Sequence, residues 1–434
     1  MADVKPFKGY RFKLKKPQDL GRLAAPPYDM LDESAIDELY KKDDFNCVRI
    51  TQNKHEISDT SNKDRHIRAA GFFDSWCHQQ ILVQDPQPSL YIYEQEFEDV
   101  TGRETKRHTR TGIICLIKLV DFQEGIVLPH EYTLSGPKQD RYDLLDAARV
   151  NTGQIFGLVS DDGDVYGLIR NMKEESSFEG SFNDENGVVH NLYKYEDTAK
   201  ISSFVQMMKE KTILIADGHH RYETALNFYR NEKDEKYAYT MMTFVSMADP
   251  GLVIRPFHRL VRKTENRINM KMRLSEFFEF ENYGIAASGR IAEFITDSKA
   301  DGMLFLDSSD NHLYKIRLSE NGENFLSENG EQRSERWKHL DVSIINSIVI
   351  NRILGLPLDG KVLHDQIEYI NDPVTGYEKL QNQDSFYGGF FIRPLSIRTI
   401  YDIVAEGERM PQKSTNFFPK LYSGLVFNKL GKSE

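Results

Sequence analysis

Cysteine is scarce in this 434-residue chain: Cys47, Cys77 and Cys115 are scattered and odd in number, with no Cys-x-x-Cys pair. That excludes a disulfide framework and a zinc ribbon, and points to a reducing, cytoplasmic setting. Long apolar runs are missing too. None approaches the ~18 residues of a membrane helix, and the opening MADVKPFKGYRFKLKKPQ lacks the apolar centre of a signal peptide. Positive charge is in deficit, with 56 Lys and Arg against 67 Asp and Glu, a net charge of −11. This balance argues against a nucleic-acid binder, and the missing apolar runs argue against a membrane partner. Any phosphate site must be a local basic pocket on an acidic body.

Several catalytic signatures are absent as well. His130-Glu131 is not followed by a second His, because position 134 is Leu, so the zincin motif fails. Lys413-Ser414-Thr415 lacks the Gly-x-x-x-x-Gly of a P-loop. No Asp-x-Asp nucleophile is followed by the Lys and acidic partners of a phosphatase. The chain shows no clean succession of strand, helix and strand, which excludes a Rossmann domain.

What is present is an ordinary globular composition, 39% hydrophobic and 28% charged, on a chain long enough for two or three domains. The pattern predicts a Pro-turn and helix in APPYDMLDESAIDELYKK, a strand in FNCVRIT, and a helix in DRHIRAAGFFDSWCHQQ. PSLYIYEQEFE and HTRTGIICLIKLV read as strands joined by a turn near Gly102, and GQIFGLV as another strand. YAYTMMTFVSMADPGLVIRPFHRLV reads as a hairpin around Asp-Pro-Gly, and MKMRLSEFFEFE as a helix. Further on, GMLFLDSSDNHLYKIRLSE predicts a hairpin, LDVSIINSIVINRILG a helix ending at Gly355, YGGFFIRP a strand and SIRTIYDIVAEGE a helix. The sum is an α+β fold with one or more mixed sheets. Residues 1–263 form the first region and 264–434 the second, and the segment 410–425 is expected to pack back on the first.

The most informative stretch is TILIADGHHRYETALNFY, Thr212 to Tyr229. Ile213–Ala216 is the short apolar run of a buried strand. Tyr222, Ala225, Leu226 and Tyr229 then recur at i, i+3, i+4 and i+7, one stripe of a helix. Asp217, Gly218, His219, His220 and Arg221 therefore occupy a strand-to-helix turn, where unpaired helix amides and the positive dipole end favour an anion. Gly218 permits a tight turn, Arg221 offers a planar fork to phosphate oxygens, and the imidazoles add donors or metal ligands. Successive helix residues point about 100° apart, so the two histidines do different jobs. The plainer reading is a helix start that Asp217 caps, with histidines satisfying nearby backbone.

Three other stretches carry polar groups. LPHEYTLSGPKQDR places His130, Glu131, Thr133, Lys138, Asp140 and Arg141 on a Gly-Pro loop, read either as a site or as a solvated loop. IRPFHRLV sets His258 and Arg259 in a strand with Arg255, facing a cavity or packing structurally. MPQKSTNFFPK brings Lys413, Ser414, Thr415 and Lys420, either phosphate contacts or an ordered turn.

Taken in order, PFKGYR, APPYD, LPHEYTL…DR, IADGHHRYETAL, DPGLVIRPFHRLV and MPQKSTNFFPKLYSGLV resemble, nearly end to end, the domain-of-unknown-function family ten-fifteen. That family usually reads His-Glu-Arg-Thr, so Tyr132 stands where a charge is expected. ADGHHR also resembles the turn of the ParB/sulfiredoxin superfamily, which holds nucleotide phosphates at a helix N-terminus. The resemblance implies a ParB/sulfiredoxin-like core and a nucleotide partner, ATP or ADP with Mg²⁺. Neighbouring serine-biosynthesis genes in the family imply serine or phosphoserine as the small partner. The expected activity is a free L-serine kinase; a phosphoserine phosphatase and a non-catalytic nucleotide sensor are the alternatives. Asp217, His219, His220 and Glu131 would be catalytic, with Asp217 and Glu131 also facing the metal. Gly218, His220, Arg221, His130, Arg141, His258, Arg259, Lys413, Ser414, Thr415 and Lys420 would hold the nucleotide.

Overall fold

The computed structural model describes the chain apart from residues 102–103, 133–134, 265–267, 298, 330–332, 359–360, 383–384 and 432–434. The expected turn at Gly102, and Thr133, lie outside the described residues. Two sheets organise the rest, and the fold is mixed α/β.

The first sheet has nine strands and runs in the order Val127–Pro129, Ile213–Asp217, Ile155–Val159, Tyr239–Ser246, Glu104–Lys118, Leu90–Thr101, Val189–Tyr195 and Ser177–Asn183. The ninth, Val4–Lys5, pairs with Glu104–Lys118. Ile213–Asp217 lies parallel to Val127–Pro129 and antiparallel to Ile155–Val159. Ile213, Leu214 and Ile215 are fully buried. Such a strand is covered on both faces, which explains why it reads as a continuous apolar run rather than an alternation. The helix His219–Glu232 follows directly and buries Tyr222, Ala225 and Leu226, three of the four stripe residues; Tyr229 is half-buried.

The second sheet is antiparallel throughout, in the order Phe278–Ile285, His312–Leu318, Met303–Asp307, Phe386–Phe391, His258–Arg262, Ile367–Ile370. Alternation sorts its side chains. Leu304 and Leu306 pack with Ile291 and Phe294 of the helix Ser288–Thr296. Phe305 and Phe390 share a cluster with Ile345, Ile348 and Val349 from the helical stretch expected to end at Gly355.

Three sequence expectations are corrected. FNCVRIT is helical at Val48–Thr51, not a strand. The Asn46 side chain accepts from the Val48 amide at 3.0 Å and donates to the Arg22 and Ala24 carbonyls, so a side chain overrides the β-branched pattern. The Asp-Pro-Gly turn does not close a hairpin. Asp249 accepts from the Thr111 and Gly251 amides at 3.0 and 2.7 Å, and this turn carries the chain from the first sheet to the second. A Cβ on Gly251 would sit 2.3 Å from the Thr109 carbonyl oxygen, so the position requires glycine. In MKMRLSEFFEFE, the helix stops at Leu274 and Phe278 opens a strand.

The C-terminal segment returns to the first sheet. Met410 donates to the His130 carbonyl at 2.8 Å, Asn416–Phe418 pairs with Val253–Arg255, and Ala25 and Ser423 exchange backbone hydrogen bonds. Arg110, 1% exposed, fastens it: its guanidinium donates to the Phe418 carbonyl at 3.0 Å and also to the Pro419 carbonyl and the Gln95 side chain. Arg110→Leu leaves those carbonyls buried without donors, and should lower unfolding free energy by about 3 kcal/mol, read from denaturant midpoints. An unchanged midpoint would contradict the clamp.

Candidate functional site: a charged cavity at the turn after Ala216

The turn is built from its backbone outward. Strand Ile213–Asp217 ends on Asp217, and Gly218 takes a left-handed φ of 88° before the helix begins at His219. A Cβ at position 218 would lie 3.0 Å from two nitrogens of Arg221, because that side chain folds back over the turn. Arg221 donates to the Gln154 carbonyl at 2.6 Å and to Asp217 Oδ2 at 3.2 Å. Lys420 Nζ lies 3.5 Å from Asp217 Oδ1. Burial alone would raise the Asp217 pKa, but Lys420 and Arg221 outweigh it and hold the group at about 2. The sequence expectation for Arg221 is therefore refined: much of its fork braces the turn.

The histidines diverge as the helical angle requires. His219 Nε2 accepts from the His130 amide at 3.3 Å, and the two rings meet edge-on at 4.6 Å. His219 thus carries its proton on Nδ1. Burial, then the His130 ring, pushes its pKa down to about 3, so it is neutral at pH 7. His130 itself is buried: Nδ1 donates to the Ile215 carbonyl at 2.6 Å, and Nε2 lies 2.8 Å from the Thr415 hydroxyl. His220 faces Glu223, Lys138 and Asp29 instead, and burial lowers its pKa as well. Cationic charge at the turn comes from Lys420 and Arg221.

Glu131 sits on the His219 side. Its Oε1 accepts from the Ser414 amide at 3.1 Å and lies 3.5 Å from His130 Nε2. Burial opposes ionisation, yet the His130 contact and the two imidazoles bring the pKa below the usual carboxylate value. Glu131 is ionised and oriented.

These groups open on a cavity of about 620 Å³. Asp217, Gly218, His219, His220 and Arg221 form one wall, and Glu131, Lys413, Thr415 and Lys420 line it too. His130 and Ser414 stand behind this wall and hold it in place. The structure does not bring Arg141, His258 or Arg259 to the cavity. Arg141 is buried on the Thr51 carbonyl and the Gln52 side chain at 2.8 and 2.7 Å. His258 and Arg259 are wholly buried in the second sheet, where packing excludes phosphate. Arg259 has an indirect role, since it donates to the Lys413 carbonyl at 3.1 Å.

Arg255, which the sequence placed beside His258 and Arg259, does line the cavity, and so do residues the sequence did not single out: Tyr28, Asp29, Glu185, Asn186 and Tyr422. Arg255 pairs with Asp99 at 2.7 Å and lies over the Phe418 ring at 3.4 Å. The APPYD turn marks Tyr28, and Asp-Glu-Asn-Gly marks a polar turn at 184–187. Nothing local says that either meets the other.

Among the described residues, no group of three His, Cys, Asp or Glu could hold a metal by itself. Mg²⁺ ordinarily takes one or two carboxylates plus substrate phosphates. Asp217 and Glu131 both line the cavity, two carboxylates that fit such an ion without forming a protein cage. No described helix is long and apolar enough to cross a membrane.

The family described as "Protein of unknown function (DUF1015)" matches residues 4–343, and the chain belongs to it. No curated protein matches. Among solved structures, a free serine kinase in complex with AMP is similar at 10% identity and a TM-score of 0.35, covering 73% of this chain and 91% of that one. A conserved hypothetical protein from Pyrococcus furiosus has 10% identity and a TM-score of 0.34, covering 71% and 93%. SbnI with a C-terminal truncation from Staphylococcus aureus has 12% identity and a TM-score of 0.34, covering 71% and 85%.

The neutral His219 makes a pH prediction. Its pKa is about 3 in the fold, against roughly 6.5 unfolded. Between those values the unfolded chain binds the extra proton, so stability falls as pH is lowered through that window. The contribution is at most about 1.4 kcal/mol per pH unit. His219→Asn should flatten the acid limb of urea midpoints between about pH 6.5 and 4. The same slope in both proteins would mean that the ring keeps its ordinary pKa.

Proposed function

We propose that this member of the family is a nucleotide-dependent phosphotransferase whose acceptor is a small hydroxyl metabolite, with free L-serine first. One observation carries the reading: Asp217, shared between Arg221 and Lys420, and the helix N-terminus border the same cavity as the oriented carboxylate of Glu131. Opening amides of a helix lack intrahelical partners, and their dipole favours phosphate oxygens. Phosphoryl transfer needs positioned cations and an oriented acceptor more than covalent chemistry. The cavity has such cations and a carboxylate that could orient an acceptor hydroxyl.

In the proposed step the serine hydroxyl oxygen forms a bond to the terminal phosphorus. The bond from that phosphorus to the leaving phosphate oxygen breaks, and its electrons stay with the shortened nucleotide. Glu131, ionised and acceptor-only, takes the hydroxyl proton. Lys420 and the helix amides balance the phosphate charge. A bound Mg²⁺ would supply further charge neutralisation, with Asp217 and Glu131 as the carboxylates to face it. Lys413, next to the Ser414 whose amide holds Glu131, lines the cavity and suits the carboxylate of an amino acid. The phosphatase alternative through a phosphohistidine is disfavoured at His219, whose Nε2 is occupied by the His130 amide.

Purified protein with Mg²⁺, serine and ATP or ADP should yield O-phosphoserine. Its absence with every nucleotide, at high enzyme, would sink the proposal. Glu131→Gln keeps the hydrogen-bond acceptor but loses the base, and should lower kcat by roughly 10²–10⁴-fold. Affinity for the metal-free nucleotide, read by calorimetry, should stay within about twofold of wild type in that variant. Lys420→Ala should instead weaken nucleotide binding about tenfold, read by the same calorimetry.

A further inference from the structure

The cavity has two ends, and the backbone pairings define them. A bridge between Glu131 and Met410 sets Glu131 beside the 410–415 segment. Paired Ala25 and Ser423 set Pro26–Met30 beside Tyr422. The Asp217–Lys420 contact lies between. His219 turns toward Glu131, whereas Arg221 turns toward Gln154, whose side chain donates to the Tyr422 carbonyl at 2.9 Å.

We infer that the nucleoside of the nucleotide binds at the second end, with its base on Tyr28 and its sugar hydroxyls toward Asp29, Glu185 and Asn186. This rests on the phosphotransferase reading. In a roughly in-line transfer, nucleoside and acceptor lie on opposite sides of the moving phosphoryl group. Glu131 marks the acceptor side, so the other end receives the nucleoside.

The chemistry of that end agrees. The Arg141 guanidinium stacks on Tyr28, 4.1 Å from the ring centre. Arg141 is itself fixed by Thr51, Gln52 and Asp140, so the tyrosine is a braced platform and loses little freedom when a base stacks on it. Tyr422 packs on His190 at 4.6 Å and Phe182 at 5.2 Å, and is equally anchored. Asp184 accepts from the Asn186 and Val188 amides at 2.8 and 2.9 Å, which shapes the turn and leaves exposed Glu185 and Asn186 at the cavity. Carboxylates repel phosphate but accept from ribose hydroxyls and from an exocyclic amine.

Titrations of ADP and of inorganic tripolyphosphate into the protein test this. Tyr28→Leu should weaken ADP binding about tenfold and leave tripolyphosphate within about twofold, because only the nucleotide has a base to stack. Tyr28→Phe, which keeps the ring, should bind ADP within about threefold of wild type. Should the Leu variant unfold, Asn186→Ala, at an exposed position, should still weaken ADP about threefold and spare tripolyphosphate. Equal losses for both ligands, or no loss for ADP, would overturn the nucleoside assignment while leaving the phosphotransferase reading standing. Wild-type protein that binds neither ligand would overturn both.

Discussion

Asp217 is the constraint on which the site depends. It ends a buried strand, and its carboxylate is shared between Arg221, one helical turn later, and Lys420, some two hundred residues on. A carboxylate out of water is costly unless cations compensate it, and here two do. The arrangement therefore fixes three things together: the direction of the helix, the fold-back of Arg221 over Gly218, and the docking of the C-terminal segment. An anion entering the cavity meets a positive edge whose shape is already set, which reduces the reorganisation that binding would otherwise require.

The second sheet contributes at a distance. Its strand His258–Arg262 buries Arg259, whose guanidinium reaches the Lys413 carbonyl and so supports the residue that lines the cavity. Arg110 does the same from the first sheet through the Phe418 and Pro419 carbonyls. Both arginines are buried and spend their donors mainly on backbone carbonyls, which holds the segment from Lys413 to Pro419 in place. Glu131, Ser414 and Thr415 then meet around His130, whose ring organises the acceptor side.

Much of this was legible in the sequence, for definite reasons. The apolar run before Asp217 and the 3.6-residue stripe after Gly218 locate a strand-to-helix turn, and those signals are local. Glu131, Lys413 and Lys420 stood out because a polar motif beside Pro or Gly is poorly explained by packing. What failed was non-local. Alternation made His258 and Arg259 look ready to line a cavity, but the sheet they enter is covered on both faces. Arg141 looked like a phosphate ligand because local sequence does not reveal the Thr51 and Gln52 groups that consume its donors. Tyr28 and Glu185 escaped notice since only the Ala25–Ser423 pairing and the turn at 184–187 bring them together. The false hairpin has the same origin: Asp249 marks a turn correctly, while the partner of the following strand lies more than a hundred residues away.

The most direct test of the central claim is a structure of the protein with ADP bound. The account predicts phosphate oxygens within about 3 Å of Lys420 Nζ and of amides in the first turn of the helix His219–Glu232, with the Asp217–Arg221 contact intact. Phosphates seated elsewhere on the molecule, with the cavity beside Asp217 left to solvent, would contradict it.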